Sequence, residues 1–250
     1  MYSDGGTPAV PDAISDEPAL RGGPHSQTDD EKALHNVWDE PSLRASGVLA
    51  PSEAMTYSRW YEQRRAETSS GRCWATVALL TLCGGPFAIL GAFVSSFGQG
   101  NAAGLLMVIL VAPPLEEMLK IGATLIVLEN KPFLFQNRVQ VVVAAIAGAM
   151  LFAVVENLLY IYVYYPEGNE AFRLWRWSVC TALHVGCTTV AAMGLLHMWH
   201  HASHRVKTGP LEEFQRPRPV HAYPYIMLAA ILHATYNALA TVMEISGGPF

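Results

Sequence analysis

From Cys73 onward, long apolar stretches alternate with short polar connections. About 20 apolar residues cross a bilayer as a helix, and five segments reach that length: Cys73–Phe97, Ala102–Leu128, Val139–Tyr165, Leu174–Trp199 and Tyr223–Ile245. The pattern predicts an all-α fold, a polytopic membrane bundle of about five transmembrane helices behind a disordered N-terminal leader. The first span carries no charge. The second holds Pro113 and Pro114, which allow a short helix to hand over to a more polar one, because proline is accommodated in a helix's first turn. Residues 1–72 read differently. They are rich in Pro, Gly, Ser and Asp and cannot bury enough surface to offset chain entropy over roughly the first 50 positions. A short interfacial helix is expected near Ala54–Glu67, where Trp60 and Tyr61 lie beside Arg59, Arg64 and Arg65. No apolar core or cleavage site marks a removable signal peptide. The organisation is therefore a polar, acidic, cytoplasmic leader (1–72) and a transmembrane domain (73–250).

Charge sharpens this division. Residues 1–72 carry 7 of the 16 Lys and Arg and 12 of the 21 Asp and Glu, whereas residues 73–250 carry 9 of each sign. Ten basic residues flank the spans on one side (Arg59, Arg64, Arg65, Arg72, Lys131, Arg138, Arg205, Lys207, Arg216 and Arg218), against Arg173 and Arg176 on the other. This imbalance predicts a cytoplasmic N-terminus in a cell inner membrane and an external C-terminus. Tyr160, Tyr162, Tyr164, Tyr165, Trp175 and Trp177 form an aromatic belt at the external interface. The four cysteines lack paired metal spacing and read as small buried hydrophobes. Nucleic-acid binding has no support.

Ionisable side chains inside the apolar segments are the main functional clue. A charge at membrane depth costs at least ~2.5–3.5 kcal/mol on insertion scales, so such residues face a bundle interior and act there. In the second span, Glu116 and Glu117 can each pair with Lys120, at i,i+4 and i,i+3. One lysine cannot neutralise two carboxylates, which suits one of them to general acid or base work. In the third span, Glu156 follows Phe152 on one helical face beside Asn157. It has no basic neighbour within a turn, so it needs a partner from another helix or a proton. His184 lies in the fourth span among small residues that permit close helix packing. In the last span, His233 and Asn237 share a face and offer two donors to one point, as oxyanion stabilisation requires. His197, His200, His201 and His204 lie together at the inner end of the fourth span. There a role in compensating the helix dipole is favoured over metal binding.

Taken in order, Glu116-Glu117-x-x-Lys120, Phe152-x-x-x-Glu156-Asn157, His184 and His233-x-x-x-Asn237 resemble the PrsW family of intramembrane proteases. That family belongs to a wider group of glutamate-dependent membrane endopeptidases which includes the CAAX-prenyl proteases. The resemblance covers about residues 73–250. It implies hydrolysis of a single-span, membrane-anchored substrate such as an anti-sigma factor, within or near the bilayer. It further implies a water nucleophile with Glu116 as base, and Glu117 and Lys120 holding it. Glu156 stands where CAAX-type members have a histidine, His184 contacts substrate or an acid, and His233 with Asn237 stabilises the oxyanion. The expected catalytic set is thus Glu116, Glu117, Glu156, His184, His233 and Asn237. No cofactor is expected. Zinc held by these Glu and His residues is the less favoured chemistry, because no acid-bearing helix carries two histidines at fixed spacing. A proton-coupled transporter and a non-catalytic membrane scaffold are the competing readings, although the internal repeats common in secondary transporters are not seen.

Overall fold

The computed structural model describes residues 36–46, 49–96, 102–208 and 211–246. Of the roughly 50 positions expected to be disordered, 1–35 and 47–48 lie outside them, whereas 36–46 hold a 3-10 turn, Val37–Asp39, and a short helix, Pro41–Ala45, which corrects that expectation there. Helices α1 (Tyr57–Glu67) and α2 (Ser70–Ser96) come first. A helical segment, Ala102–Leu106, then runs through a π turn, Met107–Val111, into α3 (Ala112–Asn130). Helix α4 (Arg138–Leu159) ends in a second π turn, Tyr160–Tyr164. The short helix Glu170–Trp175 continues through a third, Arg176–Cys180, into α5 (Thr181–Ser203). A hairpin of β1 (Arg205–Thr208) and β2 (Leu211–Phe214) precedes α6 (Tyr223–Ile245).

Among the described residues, four helices are long and apolar enough to cross a membrane: Ser70–Val94, Arg138–Tyr164, Glu170–Ser203 and Tyr223–Ile245. The expected second span is also helical, but Glu116, Glu117 and Lys120 make it the most polar of the five. It does not stand alone. Helix α3 packs against α2, α4, α5 and α6, so its polar face meets protein. Lipid tails are as apolar as leucine, so burying leucine among helices gains little in a bilayer; close packing and polar pairs must hold the bundle. Its interior shows that composition. Ala144, Ala145, Ala149, Ala153, Ala191 and Ala192 are buried at the contacts, whereas Leu79, Leu82, Ile89, Met150, Met193 and Ile231 face outward. Of the glycines expected to permit close packing in α5, Gly194 does so: a Cβ there would lie 2.8 Å from the Ala222 carbonyl. Gly186 faces open space.

Helix α1 forms a separate small core at one end of the bundle. Thr56 caps it, its hydroxyl accepting from Arg59 N. Tyr57, Trp60 and Tyr61 are buried against Phe133, Leu134 and Phe214. The Tyr61 and Phe214 rings lie 4.8 Å apart, and Arg205 pairs with Glu62. The short helix expected near Ala54–Glu67 is present as Tyr57–Glu67, docked on the hairpin that follows α5. The hairpin itself has no clear signal in the sequence.

Candidate active site

Four helices bring the polar residues together. Proline at the start of α3 supplies no N–H, so Pro113 and Pro114 fit its first turn and set Glu116, Glu117 and Lys120 one turn further in, all buried. Phe152 and Glu156 come from α4, His184 and Thr188 from α5, and His233 from α6. Each is at most 4% exposed, so a polar atom left unpaired there carries a desolvation cost.

The two adjacent glutamates divide sharply. Glu117 Oε1 accepts from Lys120 Nζ at 2.6 Å and faces His233 Nδ1 at 2.9 Å, while Oε2 accepts from Thr188 Oγ1 at 3.3 Å. Its hydrogen-bonding capacity is taken up by the scaffold. Glu116 Oε2, in contrast, is buried without a hydrogen bond and lies 3.6 Å from His233 Nε2, too far for a direct bond. Space for this side chain depends on Gly91 of α2. A Cβ there would sit 2.8 Å from Glu116 Cγ and 3.1 Å from Phe152 Cζ.

Glu156 finds its partners on other elements. Arg176 Nη2 donates to its Oε2 at 3.0 Å, and His184 Nε2 lies 2.6 Å from the same oxygen. The other imidazole nitrogen, Nδ1, is 2.7 Å from Lys120 Nζ. His184 thus links the Glu117–Lys120 pair to the Glu156–Arg176 pair and meets His233 edge-on, ring centroids 5.1 Å apart. Phe152 lies under the Lys120 ammonium at 4.8 Å, a cation–π contact. Arg176 was expected as an interfacial charge. It is buried instead, its guanidinium 4.0 Å from the Tyr160 ring centroid. The signal for it was an arginine two residues inside the apolar span that begins at Leu174, with an unpaired glutamate in the preceding span.

A cavity of about 520 Å³ opens onto this cluster. Glu116, Glu156, His184 and His233 lie at its buried end, and Tyr165, Asn169 and Glu244 at its exposed mouth. Glu117 and Lys120 are not among its lining residues; they stand behind its wall. Asn237 lines the cavity, but its Nδ2 donates to the Val108 carbonyl at 3.0 Å. It therefore ties α6 to the π turn before α3, leaving one amide hydrogen for the cavity. Of the six sequence-nominated residues, Glu116, Glu156, His184, His233 and Asn237 line one cavity, and Glu117 supports them from behind.

Buried carboxylates, imidazoles and a cavity between membrane helices define a multi-pass integral membrane protein with the constituents of a peptide hydrolase. Residues 70–249 match the family described as PrsW family intramembrane metalloprotease, and the chain belongs to that family. No curated protein and no solved structure matches it significantly.

The family description implies a metal. Glu116, His184 and His233 each offer a ligand atom, all within 4.8 Å of one another. Three buried carboxylates (Glu116, Glu117, Glu156) face two fixed cations, Lys120 and Arg176, leaving one negative charge over. An orphaned carboxylate oxygen, two imidazoles and carboxylates behind them make a zinc-type donor set. The residues fit such an ion, provided His184 releases either Lys120 or Glu156. The expectation of no cofactor rested on finding no two histidines at fixed spacing on one acid-bearing helix. Here the two imidazoles come from different helices.

Proposed function

We propose that this chain is an intramembrane endopeptidase in which Glu116 takes a proton from the water that attacks the peptide carbonyl. The observation that carries this is the contrast between the two glutamates: Glu117 is fully engaged, whereas Glu116 Oε2 is buried, unbonded and on the cavity. Water adds to the carbonyl carbon as its proton passes to Glu116. The resulting oxyanion collapses with cleavage of the C–N bond, and Glu116 returns the proton to the departing nitrogen. His233 is held by Glu117 through Nδ1 and presents Nε2 to the cavity; a proton there donates to the oxyanion. Lys120 and Thr188 fix Glu117. Glu156, clamped by Arg176, orients His184. Asn237 positions the π turn that forms part of the wall. In a metal-loaded form Glu116, His184 and His233 would instead be the residues that hold the family's metal, and its Lewis acidity toward the water and the carbonyl would stand in place of the Glu116 base and the His233 proton.

The substrate is a membrane-anchored protein with a single span, of which an anti-sigma factor is the example the family resemblance offers. It enters from the aromatic mouth, and the basic-residue imbalance supports an external position for that mouth.

The test is cleavage of a single-span reporter by purified protein in liposomes. Wild type cuts, and Glu116→Gln does not while keeping wild-type elution and melting behaviour. Loss of cleavage on chelation, restored by zinc, supports the metal-assisted form. Cleavage by Glu116→Gln at the wild-type rate refutes the assignment. Proton-coupled flux without cleavage replaces it with a transporter, and stable binding of the uncut reporter replaces it with a scaffold.

A further inference from the structure

A second imidazole cluster lies at the other end of the bundle. His197 and His201 are one turn apart near the end of α5. His221 joins them from the 3-10 turn Pro219–His221, which leads into α6. The Nε2 atoms of His197 and His201 are 3.1 Å apart. The His201 and His221 rings stack with centroids 4.3 Å apart at 17°, and one ligand nitrogen from each of the three lies within 4.8 Å of the others. All three are at least partly open to solvent, so an ion can reach them from water. His184 lies thirteen residues before His197, roughly 20 Å along the helix at 1.5 Å per residue, so this cluster is separate from the candidate active site.

We propose that His197, His201 and His221 form a binding site for a divalent transition-metal ion of the zinc type, which braces α5 against the start of α6. Three arguments support it. Tetrahedral zinc at about 2.0–2.1 Å from each imidazole nitrogen holds its ligands roughly 3.3 Å apart, close to the existing His197–His201 separation. A histidine pair at i,i+4 on a helix presents two nitrogens on one face, as zinc-binding helices do. The ion would also sit at a helix C-terminus, where the dipole favours positive charge. Among the described residues, no carboxylate forms a salt bridge with any of the three, so their lone pairs have no ionic partner to displace. His200 and His204 stack on each other at 3.9 Å and form a separate pair. The sequence alone showed four histidines at the inner end of the fourth span; the third ligand, His221, comes from the turn before α6. The brace matters because α5 carries His184 and α6 carries His233, so fixing one helix end to the other holds their register.

The test uses the full chain in detergent or nanodiscs, titrated with Co²⁺ and read by its d–d absorption, with bound Zn²⁺ counted after dialysis. The comparison is wild type against His221→Gln, His201→Gln and the pair His200→Gln/His204→Gln. Metal held by Glu116, His184 and His233 is common to all of them and cancels in the differences. Loss of a group that only hydrogen-bonds to a ligand already weakens a metal site about 10–100-fold, so loss of a ligand itself is expected to weaken this one by at least tenfold. His221→Gln and His201→Gln should each lose one equivalent of tetrahedral Co²⁺. The His200/His204 pair variant should keep it. Zn²⁺ should raise the melting temperature of wild type and of the pair variant but not of His221→Gln. Binding by His221→Gln and His201→Gln equal to wild type overturns the proposal. So does an equal loss in the His200/His204 pair variant.

Discussion

Gly91→Ala tests the candidate site from outside it. The added methyl would be 2.8 Å from Glu116 Cγ, about 0.6 Å short of the 3.4 Å at which ordinary contact begins, and 3.1 Å from Phe152 Cζ. Phe152 is fully buried and packed under Lys120, so Glu116 has to yield. Misplacing a catalytic group by ~1 Å can cost roughly 10²-fold, and a shift of about half that predicts a kcat lower by roughly tenfold. Stability should change less. Overpacking costs typically ~1–3 kcal/mol, offset by ~1 kcal/mol from replacing a helical glycine with alanine. Gly122→Ala is the matched control, because nothing lies within 4 Å of a Cβ there. Reporter cleavage in liposomes, with melting followed in parallel, reads both variants. Wild-type turnover by folded Gly91→Ala would refute the placement of Glu116 at the reacting centre. An equal loss in Gly122→Ala would show that the effect is not specific to that contact.

Other outcomes follow from the same contacts. Arg176→Met removes one partner of a buried carboxylate and should cost about 3–5 kcal/mol; adding Glu156→Gln should recover most of the melting temperature but not cleavage. Lys120→Met leaves Glu117 buried and uncompensated, so it should lower both stability and turnover, whereas Glu116→Gln abolishes turnover and shifts stability by no more than about 1 kcal/mol, since Oε2 has no hydrogen bond to lose. Tyr61→Ala empties the small core shared by α1 and the hairpin at a cost of about 3–5 kcal/mol, which limited proteolysis at Arg64 and Arg65 should report as faster cutting.

The segments of the bundle were legible because the spans and their connections differ strongly in polarity. Most members of the candidate site were also legible, since five of the six nominated residues, all but Asn237, are ionisable side chains inside apolar segments. What the sequence did not reveal is which atoms pair. Spacing allowed Lys120 to serve either Glu116 or Glu117; the choice is made by His233 and Thr188, which come from helices over 70 residues away in the chain. Arg176 looked interfacial because hydropathy places a residue by its neighbours in sequence, and its partner Glu156 is twenty positions away. Asn237 shared a helical face with His233, but helical spacing says nothing of the carbonyl that a π turn leaves for it. The metal question turned on the same limitation, because the potential ligands lie on three helices.

The order of synthesis acquires a consequence from the way α3 is enclosed. Lys120 can neutralise Glu117 as soon as α3 emerges, but the partners of Glu156 and the imidazole beside Glu116 are made later, on the last two spans. A nascent chain that stops after Tyr165 would hold two uncompensated acids at bilayer depth. Insertion of the acid-bearing segment should therefore stay reversible until the final helix arrives, which gives quality-control machinery a window for discarding chains that never complete the bundle.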